Sequence, residues 1–131
     1  DLETAISDAD IISAATMSSE PLINGKWLKP GQHVDLIGAY RPDMREADDT
    51  TLKRSTIYVD SFETTIDHIG ELKIPIASSV IKREAVISDF YDIEAFTRSS
   101  DDEITLFKNG GGAHLDLMTA HFILQKWLEN N

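Results

Sequence analysis

Three polar clusters in this chain hold residue types that could do chemistry. The densest follows the apolar run "HVDLIG" at 33–38 and reads Ala39, Tyr40, Arg41, Pro42, Asp43, Met44, Arg45, Glu46. An arginine fork grips a carboxylate or phosphate through two parallel hydrogen bonds, and a tyrosine hydroxyl donates to developing charge. The plainer reading is that Arg41, Arg45 and Glu46 form surface pairs, that Tyr40 packs, and that Asp48 and Asp49 begin a helix. Thr16, Met17, Ser18 and Ser19 form a second cluster, whose hydroxyls and amides could bind a ligand or simply make a Ser/Thr turn. The third is "KNGGGAH", Lys108 to His114. Its glycines let backbone approach a ligand, and the helix after them offers free N–H groups. It is neither GxGxxG nor a P-loop, so a tight turn is the competing reading. His33, His68, His114 and His121 lack the acidic partners of an HExxH site, and no metal is expected.

The elements that would position these clusters follow from hydrophobic spacing. "LETAISDA" at 2–9 has helical periodicity, and "DIISAA" at 10–15 is a short apolar run suited to a buried parallel strand. Residues 16–32 are irregular, with turns at Asn24-Gly25 and Pro30-Gly31. A second strand covers 33–38, the polar loop 39–47, a short helix 49–55, and a third strand "TIYVD" at 56–60. Ser61 is placed to cap the next helix and Gly70 to close it. Residues 71–87 fit no single template. Ser88 is placed to cap a helix through Phe96. "ITLFK" at 104–108 is a fourth strand, and a long helix runs from Ala113 to about Glu129. Its apolar stripe, Leu117, Leu124, Trp127 and Leu128, is read as core or interface.

Strands separated by helices predict an α/β fold with a mostly parallel sheet, flanking helices and a long C-terminal helix. In such sheets ligands bind outside the carboxyl ends of the strands. Those ends here are Thr16 to Ser18, Gly38 to Arg41, Asp60-Ser61 and Lys108 to Gly112, all carrying small or hydroxyl-bearing residues.

Composition narrows the partners. Across 131 residues, 12 Lys and Arg face 23 Asp and Glu, a net charge of −11. That balance repels phosphate backbones and anionic lipid, so neither nucleic acid nor membrane is expected as a partner. No apolar run approaches the roughly 18 residues a membrane span needs. Cysteine is absent, and the first residues show no basic n-region, which fits a cytoplasmic protein.

The segments "SAATMSSEPLINGKWLKPGQHVDLIGAYRPDMREADD", "YVDS" and "EITLFKNGGGAHLDLMTA" together resemble the ornithine cyclodeaminase/mu-crystallin family, in order and in spacing. The resemblance implies a Rossmann-type domain binding NAD or NADP, beside a separate substrate and dimerisation domain. It implies hydride exchange at a carbon bearing nitrogen and a carboxylate, with the cofactor carrying the chemistry. Thr16, Met17 and Ser18 match the family's strand-end loop beside the dinucleotide. Ile37 and Gly38 match the segment near the nicotinamide. Lys108 matches the Lys of the family's F-K-S-x-G, while Asn109 replaces the Ser and Gly110 the next residue. Ser79 stands where many relatives have Gly.

The substrate-facing loop of the cyclodeaminases reads G-x-D-x-P-G-K-x-E-L, with the Asp as acid/base. Tyr40 takes that position, flanked by Ala39 and Arg41 on the substrate side. Loss of the carboxylate argues against ornithine cyclisation. The resemblance therefore implies reduction of a cyclic imino acid such as Δ1-pyrroline-2-carboxylate, with Tyr40 or a water supplying the proton. The alternatives are an ammonia-forming ornithine cyclodeaminase, a mu-crystallin-like ligand-binding protein, or a catalytically silent, self-associating fragment. By the same resemblance the glycine-rich fingerprint and the substrate domain would precede Asp1. Residues 1–112 would then be part of the Rossmann-type domain, and 113–131 a helix leading back towards the substrate domain. An open parallel edge seeks another chain, so a homo-oligomer is expected.

Overall fold

The computed structural model describes residues 1–130. Helix α1 (Leu2–Asp8) starts where the Asp1 carboxylate accepts the Thr4 amide at 2.8 Å, and it turns Ile6 inward. Strands β1 (Ile11–Ala14) and β2 (His33–Leu36) follow, then α2 (Asp49–Arg54), capped by Asp48 through the Thr51 amide at 2.7 Å. Next come β3 (Ser55–Val59), α3 (Phe62–Thr65) and α4 (Gly70–Ala77). The chain ends with β4 (Val86–Ser88), β5 (Ile104–Lys108) and α5 (Ala113–Glu129).

All five strands are parallel, in the order β1-β2-β5-β3-β4. The last strand in the chain thus inserts between β2 and β3. One face of the sheet buries Ile12, Val34, Leu36, Ile57, Val59 and Leu106 against Ile6, Leu52, Ile66 and Leu72 from the helices. Burying such side chains contributes on the order of 1.5–3 kcal/mol each. The other face carries an aromatic group instead. Phe90 lies 5.2 Å from Phe107, and Tyr58 lies 4.6 Å from Phe96, ring centre to ring centre. With His33, Thr105 and Arg98 these rings line a crevice of about 390 Å³.

The α/β architecture expected from the spacing is the one observed, but four local expectations need correcting. Gly70 does not close the helix after Ser61; it opens α4, and its amide donates to the Arg41 carbonyl at 2.9 Å. Ser61 occupies the cap position of α3 without a side-chain bond, and the first helical amide, Phe62 N, donates to the Asp89 carboxylate at 3.0 Å. Ser88 does not cap a helix; it is the last residue of β4, a strand absent from the sequence reading. Asp89 begins the segment Phe90–Ala95, which is 3₁₀ in form and broken at Asp92. Of the two readings of the α5 stripe, core and interface, core does not hold: Leu117, Leu124, Trp127 and Leu128 are all more than half exposed. The first turns of α5 face Phe90, Tyr91 and Ile93 across a second crevice.

Ser79, just past α4, has φ +59°, the one positive φ among the described non-glycine residues. An L side chain there costs about 1–2 kcal/mol, whereas glycine adopts this conformation freely. Glycine gives part of that back through unfolded-chain entropy, about 0.4–1 kcal/mol. Ser79→Gly is therefore expected to raise unfolding free energy by about 0.5–1 kcal/mol, read as a higher urea midpoint at unchanged slope.

Candidate functional site

The register places four strand ends side by side: Ala14 opposite Leu36, Leu36 opposite Lys108, and Lys108 opposite Val59. The loops leaving those ends continue the ladder for one more bond each. Ile37 N donates to Ala14 O at 2.9 Å, Asn109 N to Leu36 O at 3.0 Å, and Asp60 N to Lys108 O at 3.3 Å. Thr16 to Ser18, Gly38 to Arg41, Asp60-Ser61 and Asn109 to Gly112 therefore form one edge, as the sequence predicts.

Beneath that edge lies a floor of buried charge. Glu46 is fully buried. Its Oε1 accepts the Thr16 amide at 2.6 Å and the Thr16 hydroxyl at 2.9 Å, while Oε2 accepts the Gly38 and Ala39 amides at 2.8 and 3.2 Å. Glu71, from the first turn of α4, is also fully buried and accepts the Glu46 and Ala47 amides at 2.7 and 3.0 Å. Lys108 is buried with them, and its ammonium donates to Leu36 O at 2.9 Å and Asn109 O at 2.7 Å. Burial pulls the Lys108 ammonium below its ordinary range, while Glu71, Glu46 and Asp60 pull the other way. A buried charge is tolerated when hydrogen bonds and opposite charge replace its water. Each of these groups meets that condition through backbone brought in from a distant segment.

Glycine is required at two points of the edge. A Cβ on Gly38 would stand 2.1 Å from Thr16 O and 2.4 Å from the Glu46 carboxylate. One on Gly110 would stand 2.5 Å from Thr65 Oγ1 and 3.2 Å from the Asp60 carboxylate. Asp60 is buried and accepts Thr65 Oγ1 at 2.6 Å through Oδ1; its Oδ2 is buried without a hydrogen-bond partner. A buried acceptor left open beside a side-chain-free backbone is where a ligand donor fits.

The remaining predicted residues lie along the rim. Met17, Ile37 and Tyr40 are exposed, at 73%, 46% and 56%, and Ala39 is buried beneath them. Ser18 Oγ donates to Glu20 O at 2.6 Å, and the Asn109 side chain accepts the Gly111 amide at 2.7 Å. Arg41 holds Asp43 bidentately at 3.1 and 3.0 Å, a surface pair as the plainer reading has it. Arg45 holds Asp49 at 2.8 Å and donates to the Ala47 carbonyl at 3.1 Å, but its side chain is largely buried, and Tyr40 is exposed, not packed. Glu46 departs furthest from that reading. It is the floor of the site, and so is Glu71 from the unassigned segment. Glu46 falls on the Glu of the family's loop pattern, but its role as the floor is not legible there, because its donors come from loops that only the fold brings near. Among the described residues no group of three His, Asp or Glu is placed to hold a metal.

A parallel α/β sheet whose loops gather on one carboxyl edge is the architecture in which ligands bind outside the strand ends. Residues 1–131 match the model of the ornithine cyclodeaminase/mu-crystallin family, and the chain belongs to that family. It is 58% identical over 126 residues to a Δ1-pyrroline-2-carboxylate reductase of Paracoccus denitrificans, covering 94% of this chain and 40% of that protein. Its fold superposes with a TM-score of 0.88 and 34% identity on the Δ1-pyrroline-2-carboxylate reductase of Thermococcus litoralis in complex with NADH and L-proline, covering 98% of this chain and 41% of the other. An archaeal alanine dehydrogenase dimer with bound NAD gives a TM-score of 0.85 at 32% identity, covering 100% and 41%. The chain thus spans about 40% of the length of these relatives.

Burial pushes the Glu71 carboxyl above its ordinary value of 4.5, against the opposing pull of its two backbone donors and of Lys108. The native state therefore keeps this proton to higher pH than the unfolded chain does. The contribution of Glu71 to stability is largest below the unfolded value and declines as pH rises through the folded one. Urea unfolding of the wild type is expected to show this downward slope above about pH 4.5, and Glu71→Gln to lack it; identical slopes would refute the assignment.

Proposed function

We propose that this chain forms the nicotinamide-side portion of an NAD(P)H-dependent reductase of cyclic imino acids, with Δ1-pyrroline-2-carboxylate as the representative substrate. The observation that carries this reading is the shared edge of four strand tips, with Gly38 and Gly110 leaving backbone bare and Asp60 Oδ2 open beside it. The 58% identity to a Δ1-pyrroline-2-carboxylate reductase supports the substrate class. The neighbour bound to NADH and L-proline supports the cofactor. In this reading residues 1–112 are part of a Rossmann-type dinucleotide domain, and α5 (Ala113–Glu129) reaches towards a substrate domain; the last residue of the expected 113–131 segment lies outside the described residues. A homo-oligomer is part of the proposal, supported by the open edge of β1 and the exposed apolar side chains of α5.

A bound dinucleotide would supply the hydride. The chain's own residues would do the rest. Thr16, Met17 and Ser18 on one side and Asn109 and Gly110 on the other would hold the dinucleotide, with Ile37 and Gly38 between them. Lys108 acts from beneath, fixing the carbonyls of Leu36 and Asn109 and so the position of the loop that follows β5. Tyr40 and Arg41 would face the imino acid, with Ala39 packed beneath them and held by Glu46. Tyr40, exposed on that loop, offers a hydroxyl for the proton that reduction of the imine consumes.

The complete protein carrying this chain is expected to oxidise NADH or NADPH only when Δ1-pyrroline-2-carboxylate is added, and to form proline. Ammonia release from ornithine, without imino-acid turnover, would reverse the assignment. Tyr40→Phe is expected to lower kcat by about 100-fold at unchanged dinucleotide affinity, the size of a lost general acid. A kcat within threefold of wild type would hand that role to a water.

A further inference from the structure

We infer that Glu46 is the positioning residue of this site, a strut whose two carboxylate oxygens set the spacing between the β1 and β2 tips. The division of labour is geometric. One oxygen takes only Thr16, through amide and hydroxyl at 2.6 and 2.9 Å; the other takes only Gly38 and Ala39, at 2.8 and 3.2 Å. The strut is itself pinned. The Glu46 amide donates to Glu71 at 2.7 Å, and its carbonyl accepts the Leu22 and Ile23 amides, both at 2.9 Å. Glu46 is fully buried and touches the loops from below, so it acts through them and not on substrate.

No other side chain reproduces this bridge. Glutamine must turn an NH₂ towards one of the two loops, where an N–H already points, so one loop keeps its acceptor and the other loses it. Aspartate is short by one carbon–carbon bond, about 1.5 Å. The consequence for chemistry rests on the reductase reading above, in which the β1 tip flanks the dinucleotide and the β2 tip faces the imino acid. The spacing of those tips is then the spacing of the reacting partners, and a misplacement of about 1 Å costs on the order of 100-fold in rate.

The test is Glu46→Gln in the complete protein, read four ways. The expected result is a kcat about 100-fold lower, with KM for the imino acid within threefold of wild type. Dinucleotide affinity, titrated by nucleotide fluorescence, falls at least fivefold. Hydrogen exchange loses protection at the Thr16 amide or at the Gly38 and Ala39 amides, but not at both sets. The unfolding midpoint stays above the assay temperature. A folded variant whose turnover and dinucleotide affinity both lie within twofold of wild type overturns the inference. If Glu46→Gln does not fold, Thr16→Val decides: it deletes the hydroxyl that donates to Glu46 and accepts the Ser18 amide, and should lower dinucleotide affinity and kcat severalfold at nearly unchanged stability. An unchanged Thr16→Val overturns the inference in the same way. Should the wild type turn over no imino acid, the reductase reading falls, and dinucleotide affinity together with amide protection alone decides the role of Glu46.

Discussion

One buried carboxylate organises the functional edge of this domain. Glu46 takes a carboxyl group out of water, which is costly unless donors replace the lost solvent. The chain meets that cost with three backbone amides and one hydroxyl drawn from two loops. Those amides lie at the carboxyl ends of parallel strands, where the ladder runs out and backbone donors lack partners. The same interaction therefore solves two problems: it satisfies the orphaned donors of β1 and β2, and it locks their loops to each other. Glu71 then holds the backbone of Glu46 from α4, and Lys108 ties β2 to the start of the loop after β5. The polar floor is continuous, and it stays out of solvent.

This arrangement explains why large polar residues crowd the end of a core strand. Of the residues in the 39–47 loop, Tyr40 stands in the open, while Arg41 and Arg45 are engaged by Asp43 and Asp49. Met44 and Ala47 are buried and anchor the loop to the core, and Ala47 forms an isolated bridge with Ile23. The loop is long because it descends from the rim to deliver Glu46 beneath its own start and then climbs to the cap of α2. Gly38 belongs to the same design, since any side chain there would occupy the space of the Glu46 carboxylate.

The surfaces away from the edge are of another character. α5 presents Leu117, Met118, Phe122, Ile123 and Leu124 outward, and the sheet face with Phe90, Phe96 and Phe107 is only partly covered. Parallel sheets are ordinarily covered on both faces. The chain spans about 40% of the length of its curated relatives. Among the described residues, no helix is long and apolar enough to cross a membrane.

Much of the fold was legible in the residues alone. The apolar runs read at 10–15, 33–38, 56–60 and 104–108, the helical spacing at 2–9 and 113–129, and the helix beginning at Asp48-Asp49 are local signals, and local physics decides them to within a residue or two. The parallel edge with its four tips followed from the alternation of those elements. What escaped was non-local. β4 is three residues long and has no period of its own; it is a strand because β3 is there to pair with it. Gly70 looked like a helix end and became a helix start, because the Arg41 carbonyl lies within reach of its amide. Glu46 stood in the candidate cluster with a surface pair as its competing reading, and Glu71 lay in a segment that fits no single template; the burial of both is decided elsewhere in the chain. Sequence determined the elements and the membership of the edge, because those depend on spacing within a few residues. Tertiary structure alone decided which charges became its foundation, because the amides that make a buried carboxylate tolerable come from segments up to thirty positions apart.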